Sequence, residues 1–124
     1  MRVPILKHGS YLIASIQAAL TDSEVLELRD DLADRVGRDR ARGVIVDVTA
    51  LDVIDSFVAR SLRTVALTAR LRGAATVIVG IQPDVAVAMV QFQLNLDPLQ
   101  TALDLDEAFA LLDGRTMGRK RHDG

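Results

Sequence analysis

Val44-Ile45-Val46-Asp47-Val48-Thr49-Ala50-Leu51-Asp52-Val53-Ile54-Asp55-Ser56-Phe57-Val58-Ala59-Arg60 is the stretch whose reading decides the fold. Val44 to Val48 is a β-branched run bounded by Gly43 and Thr49, suited to a strand buried on both faces. A short loop follows, and Asp55-Ser56 opens an amphipathic helix. Both residue types are preferred at helix starts because their side-chain oxygens accept bonds from first-turn amides. From Ser56 to Leu71, Val58, Leu62, Val65 and Ala69 form a core stripe, Arg60, Arg63, Thr64 and Arg70 the opposite face, and Gly73 the stop. Asp55 and Ser56 have two readings. They are a cap and nothing more, or the positively polarised first turn serves a phosphate bound there or built there covalently.

Upstream, Val3-Pro4-Ile5-Leu6 and Tyr11-Leu12-Ile13-Ala14-Ser15-Ile16 read as strands joined by a tight hairpin at Lys7-His8-Gly9-Ser10. Pro4 cannot donate to a ladder, which places the first strand at a sheet edge. Thr21-Asp22-Ser23-Glu24 has the capping-box pattern, and Val25, Leu28, Leu32 and Val36 recur behind it at helical spacing up to Gly37, a stop signal. Downstream, Ala75 to Val79 is the next buried strand. Gly80-Ile81-Gln82-Pro83 follows, with Pro83 at the first position of a helix whose apolar side is Val85, Ala86, Met89 and Val90. Leu99 to Ala102 reads as a last short strand. Asp104-Leu105-Asp106-Glu107 then opens a helix that buries Ala108, Leu111 and Leu112 and stops at Gly114.

Strands alternating with helices predict parallel pairing. The expected fold is α/β: a mostly parallel sheet of about five strands, an antiparallel N-terminal edge hairpin, and about four covering helices. One domain spans residues 1–113. Residues 114–124 form a basic tail, expected to be disordered and solvated, with a weak electrostatic contact to an acidic partner or nucleic acid as the sharper alternative. In open α/β sheets the functional crevice lies beyond the carboxyl ends of the strands, where the loops after Val48 and Val79 emerge.

Composition removes several functions. A chain of 124 residues with 15 basic and 17 acidic side chains has a net charge of −2, which points to neither nucleic acid nor an anionic membrane. There is no cysteine, hence no disulfide, thiolate zinc site or cysteine nucleophile. The N-terminus has no long apolar segment of a secretory signal and no run is long enough to span a bilayer, so a cytoplasmic protein is expected. P-loop, dinucleotide-binding and nucleophile-elbow patterns are absent, and neither His8 nor His122 is a base for Ser56. Asp47, Asp52 and Asp55 gather near the end of one strand, as in the Mg²⁺ site of a receiver domain. The acidic pair that such a domain carries after its first strand is replaced here by Ser15-Ile16-Gln17. No metal and no cofactor are expected.

The element order resembles the STAS domains of bacterial anti-sigma-factor antagonists. Asp55-Ser56-Phe57-Val58-Ala59-Arg60 and Val79-Gly80-Ile81-Gln82-Pro83-Asp84-Val85-Ala86 resemble the stressosome (RsbS-type) branch of that family, and the likeness runs over roughly residues 3 to 113. The resemblance implies a non-enzymatic scaffold that assembles with RsbR-type STAS paralogues and sequesters an RsbT-type serine kinase. On this likeness Ser56 is the phosphorylation site, phosphorylation releases the kinase, and a metal-dependent phosphatase resets the system. Asp52, Asp55, Phe57, Arg60, Gly80 and Gln82 are the partner-binding residues expected around it. Tyr11 and Val3 of the hairpin are candidate contacts in a homo- or hetero-oligomer. Two alternatives stay open: a free-standing antagonist that binds an anti-sigma kinase directly, and a module sensing a small anion or nucleotide at the helix N-termini near Ser56 and Pro83.

Overall fold

The computed structural model describes residues 3–121, with side chains through Gly114. Its centre is β3 (Gly43–Asp47), whose Val44, Ile45 and Val46 have no exposed surface. Each contributes about 1.5–3 kcal/mol relative to an exposed position. The strands β1 (Ile5–His8), β2 (Tyr11–Ser15), β4 (Ala75–Val79) and β5 (Gln100–Ala102) complete one sheet in the order β1-β2-β3-β4-β5. β1 pairs antiparallel with β2, and the other pairs are parallel. Four helices connect and cover the strands: α1 (Asp22–Arg38), α2 (Ser56–Leu71), α3 (Pro83–Gln91) and α4 (Leu105–Arg121).

Side-chain alternation along each strand sends neighbours to opposite faces. Val44, Val46, Val48 and Ile78 therefore join Leu28, Leu32 and Val36 of α1 and Leu62, Val65 and Ala69 of α2 in the larger core. Ile45, Val77 and Val79 pack with Ala108 and Leu112 of α4 in a second core on the other face. The capping box at α1 forms in both directions, with Thr21 accepting from the Glu24 amide and Glu24 accepting from that of Thr21.

Several elements lie differently from the sequence reading. β1 spans Ile5 to His8 rather than starting at Val3; the turn between His8 and Tyr11 is only Gly9-Ser10, with Gly9 at φ 60°, and the register Ile5↔Ala14 follows from that two-residue turn. α1 runs one residue past Gly37, and the left-handed residue after it is Arg40, at φ 51°. α4 continues through Gly114 to Arg121, since a glycine weakens a helix by about 1 kcal/mol without forbidding it. Residues 122–124 of the basic tail lie outside the described residues. On α3 only Val85 and Met89 are buried; Ala86 and Val90, assigned to its core side, face outward, Val90 being 78% exposed. Val3 and Tyr11, the candidate oligomer contacts, are half-buried. Val3 packs against the larger core, while Tyr11 stacks on Phe109 and donates to the Asp113 carboxylate.

Candidate functional site

The parallel strands end at Ser15, Asp47, Val79 and Ala102, and the loops beyond them form one end of the molecule. The β3–α2 loop is pinned by its backbone, the Val48 amide donating to Val79 O at 2.9 Å and that of Leu51 to Val48 O at 2.9 Å. Leu51 and Ile54 turn inward and are buried, which leaves Asp52, Val53 and Asp55 on the outside. Apolar residues three apart thus anchor the loop.

Asp55 is the N-cap of α2, and its Oδ1 accepts from the Val58 amide at 2.8 Å. Ser56 is therefore the first helical residue, and it is exposed. Asp55 does the capping, and among the described residues the Ser56 hydroxyl has no hydrogen-bond partner. Phe57 is half-buried. Arg60 is exposed one turn along, on the same helix face as Ser56, with its Nε 3.4 Å from Ser56 O.

The neighbouring β4–α3 loop is locked against this one. Gly80 adopts φ 80°, and a Cβ there would overlap Thr49 Oγ1 and lie 3.3 Å from Thr49 Cα. Only glycine fits both the left-handed backbone and the close approach. Gln82 spends its side chain on Thr49 O, at 2.8 Å, instead of capping α3, and the Gly80 amide donates to Ala102 O at 3.1 Å. Asp47 completes the clamp, its Oδ1 accepting from the Thr49 amide at 2.9 Å and hydroxyl at 2.6 Å.

The structure thus brings Asp52, Asp55, Ser56, Phe57 and Arg60 together on one loop and helix start, and sets Gly80 and Gln82 beside them as supports of Thr49. Among the described residues no group of three or more His, Cys, Asp or Glu side chains is placed to hold a metal. Asp47 and Asp55 are occupied as local caps. Thr49 and Val53 had not been singled out from sequence. Thr49 acts through contacts with residues more than thirty positions away. Val53, 71% exposed, is an outward apolar side chain beside Ser56, and its place between inward Leu51 and Ile54 is the signal that finds it.

A STAS-domain family model matches residues 2–108. This chain belongs to the STAS family. Among solved structures, a serine-to-glutamate variant of RsbS from Moorella thermoacetica is 32% identical, the match covering 94% of this STAS chain and 98% of that one at a TM-score of 0.80. A chain of the stressosome, described as a signal integration and transduction hub, is 30% identical over 91% of this chain and 98% of its own, at a TM-score of 0.73. RsbRA of Bacillus subtilis (strain 168), an RsbT co-antagonist protein, is 27% identical over 90 residues, 64% of this chain and 33% of RsbRA. This STAS domain spans about a third of that relative's length. The expected fold, five mixed strands with an antiparallel edge pair and four helices, is the one found, and its likeness is to the RsbS-type, stressosome members of the family. No helix among the described residues is long and apolar enough to cross a membrane.

Proposed function

We propose that this STAS domain is a non-enzymatic, cytoplasmic scaffold subunit of a stressosome-type assembly, and that its output is the phosphorylation state of Ser56. In this reading it associates with RsbR-type STAS paralogues and holds an RsbT-type serine kinase. The kinase phosphorylates Ser56 and is released, and a metal-dependent phosphatase restores the hydroxyl. Asp52, Asp55, Phe57 and Arg60 form the surface around the serine, with Gly80 and Gln82 holding the adjacent loop. The similarity to RsbS and to the stressosome chain supports the class of partner.

The observation that carries the reading is Ser56 itself, exposed at the first position of α2 directly after a cap that Asp55 already provides. A phosphate there adds about −1.5 to −2 charges and three acceptor oxygens. The helix N-terminus accommodates that charge, so the fold persists and the change falls on the partner-facing surface. Incubation with an RsbT-type kinase and ATP, followed by phosphosite mapping, is expected to place phosphate on Ser56. Ser56→Ala is expected to keep the kinase bound, and Ser56→Asp to weaken the complex. Phosphate on another residue, with both variants binding as wild type, refutes the reading.

A further inference from the structure

The two edges of the sheet differ. β1 is guarded: Pro4 precedes it, Lys7 and His8 are exposed on it, and Arg35 Nη1 donates to its Ile5 O at 3.4 Å. Charge and proline at an edge keep other strands from pairing there. Among the described residues β5 carries no such device. Its Gln100-Thr101-Ala102 continues into Leu103, which is 80% exposed. Ala102 O accepts from the Gly80 amide at 3.1 Å, so the backbone groups of Ala102 face β4. Such groups alternate along a strand, and the N–H and C=O of Thr101 therefore face away from the sheet.

Beside that edge lies an apolar groove of about 370 Å³, where Ala86 and Val90 of α3, Leu94 and Leu96 of the loop after it, Thr101 and Leu103 meet. Among the described residues Glu107, in the first turn of α4, is the one charged side chain lining it. Exposed apolar side chains scattered singly are ordinary, but a contiguous apolar patch marks a contact surface. Its charge decides the partner. From Val85 to Leu103 Asp97 is the one charged residue, in a chain whose charged fraction is 26%. Such a surface sets almost no like charge against its own copy, and depletion of charge is what interface centres show. It also offers little charge by which a partner of opposite sign would be selected.

We infer that the β5 edge and its groove form a two-fold contact with a second copy of this chain. The two β5 strands pair antiparallel about Thr101, each Thr101 amide donating to the carbonyl of the partner's Thr101. The contact is isologous, the same patch serving on both copies. Antiparallel pairing carries each Leu103 to where the other strand begins and sends the two Glu107 carboxylates to opposite ends of the contact. It deepens the assembly part of the proposed function, and rests on it only for the expectation that copies associate. Ser56 stays open, because it follows β3, two strands and about 10 Å in from this edge, at the end of the sheet rather than along its side.

Cysteine cross-linking and sedimentation velocity test it. The chain has no cysteine, so Thr101→Cys introduces a single thiol. A hydrogen-bonded antiparallel pair holds its Cα atoms about 5.5 Å apart, within disulfide range. Under mild oxidation this variant is expected to form a disulfide-linked dimer about tenfold or more faster than Ser23→Cys, a thiol at an exposed position of α1. Wild type is expected to self-associate equally in about 0.1 M and about 1 M salt, since charge does not hold the contact. Val90→Asp/Leu103→Asp, at two exposed positions, is expected to weaken association about tenfold or more while circular dichroism shows the native fold. Thr101→Pro removes the outward amide and is expected to weaken it too. Variants that self-associate like wild type overturn this contact, as does Thr101→Cys cross-linking no faster than Ser23→Cys; assembly through another surface then stands. A wild type that is monomeric alone, yet joins an RsbR-type paralogue in a complex that Val90→Asp/Leu103→Asp abolishes, overturns the two-copy contact and assigns the groove to the paralogue. A strict monomer at both salts, with or without that paralogue, removes the assembly reading as well.

Discussion

Gly80→Ala tests the clamp beneath the Ser56 loop. At φ 80° an alanine pays about 1–2 kcal/mol for the left-handed conformation. Its Cβ overlaps Thr49 Oγ1, so the threonine side chain must rotate away and leave Asp47 Oδ1, now 2.6 Å distant. That bond contributes about 0.5–1.5 kcal/mol net. Rotation gives incomplete relief because Thr49 Cα is itself 3.3 Å from the new Cβ. The total is a loss of about 2–4 kcal/mol, read as a lower urea midpoint and a Tm reduced by roughly 10 °C. Thr49→Ala removes the clashing hydroxyl but leaves the φ strain. The double variant Thr49→Ala/Gly80→Ala is therefore expected to be less destabilised than the sum of the two single changes, with a coupling of about 1 kcal/mol. A Gly80→Ala protein within about 0.5 kcal/mol of wild type refutes the clamp, and strict additivity refutes the part assigned to Thr49.

Asp55→Ala removes the N-cap of α2 and is expected to cost about 1 kcal/mol in chemical denaturation, with Ser56 still present as the first helical residue. Leu32→Ala, at a position with no exposed surface between α1 and the sheet, is expected to cost about 2–5 kcal/mol by the same measurement. Tyr11 is the single tyrosine of the chain, so its ultraviolet titration is unambiguous. Burial, followed by its bond to the Asp113 carboxylate, raises its pKa from 10.0 to about 12. The folded state therefore holds this proton more tightly than the unfolded one: the contribution is fully present below pH 10, and stability falls as the pH rises towards 12. Asp113→Asn should return the titration partway towards 10.0, and an unshifted wild-type titration would contradict the assigned contact.

The features legible in sequence were those with strong local causes. α2 was bounded at Ser56 and Leu71 because Asp55 caps one end and Gly73, at φ 89°, turns the chain at the other. Val44 to Val48 announced a central strand by β-branched composition alone, and Thr21 with Glu24 announced α1. Features decided by distant partners were misplaced or unseen. β1 lies at the sheet edge, as Pro4 implied, but its span from Ile5 to His8 is defined by pairing with β2. The outward turn of Ala86 and Val90 follows from α3 packing on the larger core through Val85 and Met89. Gly37 looked like a helix stop, yet its smallness serves the Arg72 side chain from the end of α2. The site divides the same way: Asp55 and Ser56 are a local signal, whereas Thr49 meets Gly80 and Gln82 only through the sheet.

The proposed output at Ser56 follows from which first-turn groups are already occupied. Asp55 takes the Val58 amide. No protein acceptor among the described residues is found for the amides of Ser56 and Phe57, which belong to the four donors every helix start leaves over. A phosphate on Ser56 lies within reach of these donors, and Arg60 stands on the same face one turn away. Such groups would stabilise the charge where it forms, and the adjoining loop is tied through Thr49 to Gly80 and Gln82. The helix end carries only about half a positive charge, less than the phosphate adds. In the proposed reading, phosphorylation of Ser56 would make the surface around Asp52 and Asp55 more negative. In this reading a partner complementary to the exposed hydroxyl is released by charge and desolvation at the contact itself, and no rearrangement need travel through the sheet.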